Sequence, residues 1–387
     1  MKRTAMLCVS VVTLGLGLNG CQDRQGPSEI SAPAGGNSST GIEHKVVPFS
    51  EEGDRGAVYT LSNEASGNNL LKFSRSAAGT LAPAGSFATG GTGTGAGLGS
   101  QGALFLGERY LYAVNGGSND ITVLVAGGGG LRIVSKTPSG GTQPISVTVH
   151  GDFLFVLNAG GSGNIAGFTG AERGVLSPLA GSTKPLSGSG VGPAEIAFSP
   201  DGETLVVTEK NTSRIDTYDL ERHGRISGPR VQNSAGQTPF GFAFSRRGQL
   251  VVSEATQSTL SSYRLVHDGD LRLISGQVPD HQAAACWVAI TGDGKFAYTA
   301  NAASNNVSGY RLGPDGRLTL FGDGGITGSD DSKPLDMALD RNSDFLYVLN
   351  AAGHSITGYR INRGTGGLSS IGQVGGLPPS VSGLAAN

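Results

Sequence analysis

Residues 296–318 read Phe-Ala-Tyr-Thr-Ala-Asn-Ala-Ala-Ser-Asn-Asn-Val-Ser-Gly-Tyr-Arg-Leu-Gly-Pro-Asp-Gly-Arg-Leu, and the fold can be predicted from this pattern. Apolar residues alternate with small or polar ones along Phe296–Asn301, and again after a turn rich in Asn and Ser. Such alternation is typical of two short antiparallel strands. An Asp-Gly turn at Asp315 then leads into a third strand. The stretch therefore predicts a meander of short strands.

The same pattern recurs along the chain. The spacing can be measured at the last residue of the strand equivalent to Phe296–Asn301. From Asn115 to Asn350, this residue recurs every 43 to 51 residues. Repeats of this length that consist of short strands indicate the blades of a β-propeller, whereas solenoid repeats are usually shorter. We therefore predict an all-β, seven-bladed β-propeller of four-stranded antiparallel blades. The other six copies of the strand are Val58–Asn63, Tyr110–Asn115, Phe153–Asn158, Thr204–Glu209, Gln249–Glu254 and Phe345–Asn350.

A further strand opens most repeats and usually starts at a proline, which suits the first residue of a strand because no ladder donor is needed there. The tail Pro379–Ala385 has the same pattern as these opening strands, and no further strand follows it. The first repeat, at Val58, has no opening strand before it. We therefore expect the C-terminal strand to complete the N-terminal blade, which would close the ring and remove two sheet edges.

Residues 1–20 have the features of a signal peptide. Lys2 and Arg3 precede an apolar run, Ala5–Leu18, that is short for a membrane span. The run ends in Leu-Asn-Gly before Cys21 and resembles a bacterial lipoprotein signal. The resemblance implies cleavage before Cys21 and lipidation of that residue. Because Gln22 rather than Asp follows, it also implies outer-membrane sorting, and the alternative is an ordinary cleaved signal.

The remaining sequence divides into a tether and one domain. Residues 21–55 are rich in Gly, Ser, Pro and charges and lack an apolar period, which predicts a flexible tether from the lipidated Cys21. Residues 56–387 form the predicted propeller. The net charge is −2, so nothing in the charge favours nucleic acid as a partner. We expect a monomer that meets the membrane only through its lipid.

Two segments resemble a known family. Phe296–Tyr310 resembles the YVTN-type repeat, and Gly192–Asn211 is similar to the lactonase-family propellers. That family includes bacterial 6-phosphogluconolactonases and fungal carboxymuconate cyclases. The resemblance extends over about Ala57–Asn387. It implies a seven-bladed propeller that hydrolyses or forms a lactone.

The chain departs from this family at its expected site. Where the family typically has Pro-Arg-His, this sequence has Pro-Ala194-Glu195, and Ala289 and Ala302 stand where a His and an Arg are usual. Only the Glu after the second strand is kept, as Glu209, and the resemblance implies a catalytic role for it. Loss of the cations argues against a phosphorylated or carboxylated substrate, because arginine clamps bind such anions.

Alignment of the opening strands places Glu195, Trp287 and Asp336 at one level near the axis. If their side chains reach the channel mouth, two carboxylates and the only Trp of the chain share one cavity. Such a cavity could bind a sugar, or support acid–base chemistry if the two pKa values diverge. The alternative is a solvated polar channel.

Glu209 and Glu254 occupy the same position in adjacent repeats, where the other copies have Asn. They could hold Ca²⁺ together with carbonyl oxygens, or they could cap the turns that follow them. No motif supports a metal, so we expect no cofactor. His281, just before an opening strand, is the one histidine that we consider for the ligand site.

Two functions remain open. The first is a lipid-anchored binding or assembly module in the cell envelope, whose partner is a protein or a glycan. The second is a periplasmic lactonase-type enzyme that acts on a neutral lactone. The missing cations favour the first function. Lactone turnover abolished by Glu209→Gln would favour the second.

Overall fold

The computed structural model describes residues 56–127, 130–221, 224–266, 269–329 and 332–387. The predicted signal peptide, the predicted lipidation site Cys21 and the predicted tether lie outside the described residues. Within the described part of the chain, no helix is long and apolar enough to span a bilayer.

Seven antiparallel sheets are present, which confirms the predicted number of blades. The first sheet contains β1 (Ala57–Leu61), β2 (Asn69–Arg75) and β3 (Leu81–Ala88), and the second contains β4 (Leu104–Leu106), β5 (Tyr110–Asn115), β6 (Asp120–Gly127) and β7 (Gly130–Pro138). The third contains β8 (Pro144–His150), β9 (Phe153–Asn158), β10 (Asn164–Thr169), β11 (Ser177–Pro178) and β12 (Lys184–Pro185). The fourth contains β13 (Pro193–Phe198), β14 (Thr204–Glu209), β15 (Arg214–Leu220) and β16 (Ile226–Asn233), and the fifth contains β17 (Pro239–Phe244), β18 (Gln249–Glu254), β19 (Thr259–Leu265) and β20 (Leu271–Pro279). The sixth contains β21 (Ala285–Ile290), β22 (Phe296–Asn301), β23 (Asn306–Leu312) and β24 (Leu318–Ser329), and the seventh contains β25 (Pro334–Leu339), β26 (Phe345–Asn350), β27 (Ser355–Ile361) and β28 (Leu368–Gly375).

The predicted four strands per blade hold with one irregularity, in blade 3. Its outer edge is split into β11 and β12, which both pair with β10. A single 3-10 turn at Ala171–Arg173 lies between β10 and β11, flanked by Gly170 and Gly174 in left-handed conformations. The split outer edge therefore follows from a longer connection on the outer side of this blade.

The C-terminal strand β29 (Ser382–Ala386) pairs antiparallel with β1 and is the innermost strand of blade 1. Val58 lies opposite Ala386, and Thr60 lies opposite Leu384. The Thr60 hydroxyl also donates a hydrogen bond to the Gly383 carbonyl oxygen, at 2.6 Å. The predicted closure of the ring is confirmed.

The second strands are the most deeply buried part of each blade. Every residue of β5, β14, β18, β22 and β26 is buried, because these strands lie between neighbouring blades as well as between neighbouring strands. The outer strands, such as β7, alternate between exposed and half-buried residues. The alternating pattern that predicted the blades therefore reflects stacked sheets whose two faces are both covered.

The opening strands define two faces of the disc. They are the innermost strands β4, β8, β13, β17, β21, β25 and β29. Pro193, at the start of β13, pairs with Glu209 at the end of β14. We call the face where the opening strands begin the upper face and the face where they end the lower face. Glu209 and its counterparts therefore lie on the upper face.

Candidate functional site

The upper end of the channel is filled by the chain itself. Leu98–Gly102, which we call the axial segment, lies at the end of the glycine-rich run before β4. It hydrogen-bonds to the innermost strands of several blades, so it crosses the ring. Its bonds to blades 1, 3 and 4 run from Leu98 N to Ser382 Oγ (3.2 Å), from Ser100 Oγ to the Ile145 oxygen (2.8 Å) and from Gln101 N to the Ala194 oxygen (3.0 Å).

The carboxamide of Gln101 extends the axial segment to blades 5 and 6. Its Nε2 donates to the carbonyl oxygens of Val288 (2.9 Å) and Phe242 (3.3 Å), and its Oε1 accepts from Val288 N (3.0 Å). A Cβ atom at Gly241 would lie 2.2 Å from Gln101 Oε1, so the residue at 241 must be glycine for this approach. Gln101 therefore satisfies main-chain groups of two inner strands at the channel.

Trp287 lies against this segment and is 2% exposed. Its Nε1 donates to the Ser100 carbonyl oxygen at 3.0 Å, and its ring meets Phe240 edge-on with centroids 5.0 Å apart. Lys210 Nζ donates to the Gly99 oxygen at 2.6 Å and lies 4.9 Å from the Phe240 centroid. Burial lowers the pKa of Lys210 to about 8. The indole is thus enclosed by the axial segment and its neighbours.

Glu195 and Asp336 are also buried, at 6% and 3% exposure. Phe242 N donates to Glu195 Oε2 at 2.6 Å. Burial raises the pKa of Glu195 well above its usual value, and the nearby carboxyl of Asp336 adds to the increase. Burial raises the pKa of Asp336 to about 8, although main-chain hydrogen bonds from Met337 and Leu384 oppose the shift. The structure thus brings these two carboxyls near each other at the axis, as buried groups.

Glu209, the candidate catalytic residue, is fully buried at the end of β14. Its carboxylate accepts hydrogen bonds from Ser187 N (2.9 Å), Ser187 Oγ (2.5 Å) and Thr212 Oγ1 (2.6 Å). Ser187 is half-buried and lies between the carboxylate and the surface of the upper face. These bonds hold the connection between blades 3 and 4 against the end of β14.

Asp216, on the neighbouring strand β15, is a second buried carboxyl of this site that the sequence analysis missed. Burial, a hydrogen bond shared with Glu209 and the charge of Glu209 raise the pKa of Asp216 to about 8, against a hydrogen bond from Ser187 N. Asp216 is therefore protonated at neutral pH. One feature of the sequence could have revealed it. Asp216 lies seven residues after Glu209, and the equivalent position in four other blades holds a Ser or Thr, namely Thr122, Ser261, Ser308 and Thr357.

Glu254 has the equivalent place in blade 5 and is fully buried. It accepts hydrogen bonds from Gly236 N (2.9 Å) and Thr259 Oγ1 (2.5 Å). Each of these two carboxylates therefore accepts hydrogen bonds from its own blade and from the connection that leads into that blade. Within the described residues, no three or more His, Cys, Asp or Glu side chains are placed to hold a metal ion. The Ca²⁺ alternative stays a prediction.

The asparagines at the same position show the role that this place has in the other blades. Asn115 Nδ2 donates to Asp120 Oδ1 (2.6 Å) and Thr122 Oγ1 (2.9 Å), both in the following strand. Asn301 makes the same pair of bonds to Asn306 and Ser308. The position is therefore a buried polar junction that fixes the hairpin of each blade.

His281 lies elsewhere. It is exposed in the connection between β20 and β21, has a backbone φ of 62° and follows the buried Asp280. Its positive charge, when present, opposes the increase that burial causes in the pKa of Asp280. The structure thus places His281 on the upper rim, in an exposed turn.

A family model of known proteins matches the chain. The family model described as "Lactonase, 7-bladed beta-propeller" matches residues 175–286 and 269–381, which together span more than half of the chain. The chain therefore belongs to the lactonase family of seven-bladed β-propellers. A comparison with curated protein sequences finds no match.

Solved structures with the same fold include proteins described as lactonases. A candidate 6-phosphogluconolactonase from Bacteroides fragilis is 19% identical, with a TM-score of 0.68, and the alignment covers 86% of this chain and 98% of that one. A similar protein from Bacteroides uniformis is 20% identical, with a TM-score of 0.70 over 85% and 99% of the two chains. The periplasmic gluconolactonase of Pseudomonas aeruginosa is 17% identical, with a TM-score of 0.66 over 86% and 99%. At these identities the likeness concerns the fold.

Proposed function

We propose that this protein is a lipid-anchored binding module of the cell envelope, with a lactonase-type propeller that binds a protein or glycan partner without turning over a lactone. The axial segment is the observation that carries the proposal. It occupies the upper end of the channel and covers Trp287, while Glu195 and Asp336 are buried around it. The two carboxyls that the sequence offers for acid–base chemistry at the axis are therefore shielded from a substrate in solution.

The hydrogen bonds of Glu209 support the same proposal. Three hydrogen bonds from Ser187 and Thr212 engage both oxygens of its carboxylate. A general base needs a free lone pair within hydrogen-bond reach of the proton it takes. Glu209 thus acts as a structural acceptor that secures one connection of the upper face.

A panel of neutral lactones and 6-phosphogluconolactone, incubated with the full-length protein in detergent, tests the proposal. We expect no hydrolysis above the spontaneous rate. Turnover that Glu209→Gln abolishes, while the control Glu254→Gln retains it, would refute the binding-module function.

The second candidate, a lactonase for neutral lactones, has one specific observation in its favour. Burial and the neighbouring Glu209 raise the pKa of Asp216 to about 8, and a carboxyl whose pKa is raised in this way can supply a proton in acid–base chemistry. This function would require Ser187 to move away from the pair. The lactone panel decides between the two candidates.

The proposed anchor rests on the sequence that ends at Cys21. Metabolic labelling with palmitate tests it directly. We expect label in the wild-type protein and none in Cys21→Ala, with the wild type in the outer-membrane fraction. Equal labelling of the two proteins would refute lipidation at this residue.

A further inference from the structure

We infer that the lower mouth of the channel binds an acidic glycan, whose carboxylate is held by Arg109, Arg246 and Arg341. A cavity of about 1050 Å³ on the lower face is lined by residues of blades 1, 2, 3, 5 and 7. Because these blades stand on opposite sides of the ring, the cavity lies at the axis. This inference deepens the proposed binding function and rests on it.

The three arginines come from three different blades. Arg109 lies between β4 and β5, Arg246 follows β17, and Arg341 follows β25. All three are exposed, and none forms an ion pair with another described residue, although eight other basic side chains do. Like charges at one mouth repel one another unless an anion joins them. The mouth is therefore suited to a negatively charged ligand.

The acid next to Arg341 does not neutralise it. Asp340 turns inward, where it accepts hydrogen bonds from Phe345 N (2.8 Å) and Asp344 N (2.7 Å). Its other oxygen is 3.9 Å from Arg75 Nη2, on the other side of the turn. Asp340 therefore does not neutralise the positive charge of Arg341, which can interact with a ligand in the cavity.

Arg246 extends toward the turn that carries Arg341. Its Nη2 lies 3.6 Å from the position that a Cβ atom at Gly292 would take, in the lower turn of blade 6. Gly292 N in turn donates to Ser343 Oγ at 2.9 Å, two residues after Arg341. The guanidinium of Arg246 therefore crosses blade 6 in the direction of blade 7.

The opposite wall is aromatic. Phe105 and Tyr112 pack with centroids 6.3 Å apart, and Tyr110 packs edge-on to Tyr112 at 6.4 Å. The two tyrosine hydroxyls donate to main-chain oxygens of Arg173 (3.2 Å) and Ala171 (2.8 Å), and both tyrosines are buried. They therefore support Phe105, the half-buried ring that lines the cavity.

Guanidinium groups bind carboxylates in bidentate geometry, and aromatic rings pack against the apolar faces of ring-shaped ligands. Together the two walls favour a sugar ring that carries a carboxylate, as in a uronic acid. Glu108 and Glu172 also line the mouth and weaken its positive field, and the exposed His150 packs on Phe198 at 5.7 Å. We therefore expect modest affinity that depends on salt.

Calorimetric titration of the full-length protein with trigalacturonate, at low salt, tests the inference. We expect binding that the neutral galactotriose does not show. Arg246→Gln and Arg341→Gln should each weaken it about two- to fivefold, as expected for exposed charge pairs. Glu172→Gln should strengthen it. Arg247→Gln is the matched control, because this exposed neighbour of Arg246 lines a different cavity between blades 4 and 5.

Three results would overturn the inference: no binding of trigalacturonate, equal binding of galactotriose, or the same loss of binding in Arg247→Gln. Binding of monomeric galacturonate as tight as that of the trimer would also overturn it, because the ligand would then be a small acid and no glycan. Lactone turnover together with trigalacturonate binding would refute the binding-module function and leave the site in place. If the protein shows neither lactone turnover nor trigalacturonate binding, the glycan site is refuted and the binding-module function is not.

Discussion

The indole of Trp287 donates its Nε1–H to the main-chain oxygen of Ser100, 3.0 Å away and 187 residues earlier in the chain. This bond joins the innermost strand of blade 6 to the segment that leads into blade 2. The same segment hydrogen-bonds to four further blades, so the upper end of the channel is closed by the protein's own chain. Structure and proposed function both depend on this closure.

Stability should fall as the pH rises from 5 to 9. Asp336 has a folded-state pKa of about 8, above its ordinary value of 3.8, so the native protein holds a proton that the unfolded chain releases. Between these two values each pH unit costs about 1.4 kcal/mol of unfolding free energy for one such group. The shifts of Glu195 and Asp216 act in the same direction, and the lowered pKa of Lys210 opposes them only above about pH 8.

Urea unfolding at pH 5 and pH 9 measures this loss. Asp336→Asn cannot ionise, so we expect it to lose less stability over the range than the wild type. The control Asp315→Asn removes an exposed carboxyl and should leave the pH dependence unchanged. A wild type that is more stable at pH 9 than at pH 5 would show that these carboxyls are ionised in the native state.

Glu209 and Asp216 should behave as one unit. Replacement of either alone removes a partner of a buried carboxyl and should cost about 1–3 kcal/mol. Glu209→Asn together with Asp216→Thr recreates the pair found in blade 2, where Asn115 Nδ2 donates to Thr122 Oγ1 at 2.9 Å. The double variant should therefore lose less than the sum of the single losses.

A double-mutant cycle by urea unfolding gives the coupling between these two residues. We expect about 0.5–3 kcal/mol, the range for residues in one hydrogen-bond network. Additive losses would mean that the two side chains do not interact in solution.

Gly383 in the closing strand should tolerate no side chain. Its φ is 77°, and an added Cβ would lie 3.1 Å from both Ala103 Cβ and Leu104 N. Gly376 has a φ of 87° and no atom within 4 Å of such a Cβ, so Gly376→Ala reports backbone strain alone. We expect Gly383→Ala to lose at least about 1 kcal/mol more, from overpacking. Equal thermal unfolding of the two variants would argue against the tight closure of the ring.

The blades and their closure could be predicted from the sequence because both depend on local patterns. Strand alternation recurs with a steady spacing, and the tail that ends in Ala385 has the pattern of an opening strand with no successor. The common level of Glu195, Trp287 and Asp336 also followed from aligned registers, and all three lie near the axis in the structure.

The burial of these residues could not be predicted. It depends on the axial segment, whose glycine-rich sequence has no period and whose partners are mostly main-chain atoms of distant strands. Gln101 bonds Val288 across 187 residues, and no pattern in the chain pairs the two. Asp216 escaped prediction for a different reason. It lies on β15, the third strand of its blade, whereas the repeat pattern that singles out Glu209 concerns β14, the second strand.

Acrylamide quenching of the fluorescence of Trp287 tests the closed channel most directly, because this is the only Trp in the chain. We expect weak quenching in the native wild type. We expect clearly stronger quenching in Gln101→Ala, which loses the bonds to Phe242 and Val288, and no change in Gln257→Ala at an exposed turn. Native quenching as strong as that of the urea-unfolded protein would contradict this expectation, because Trp287 would then face an open channel.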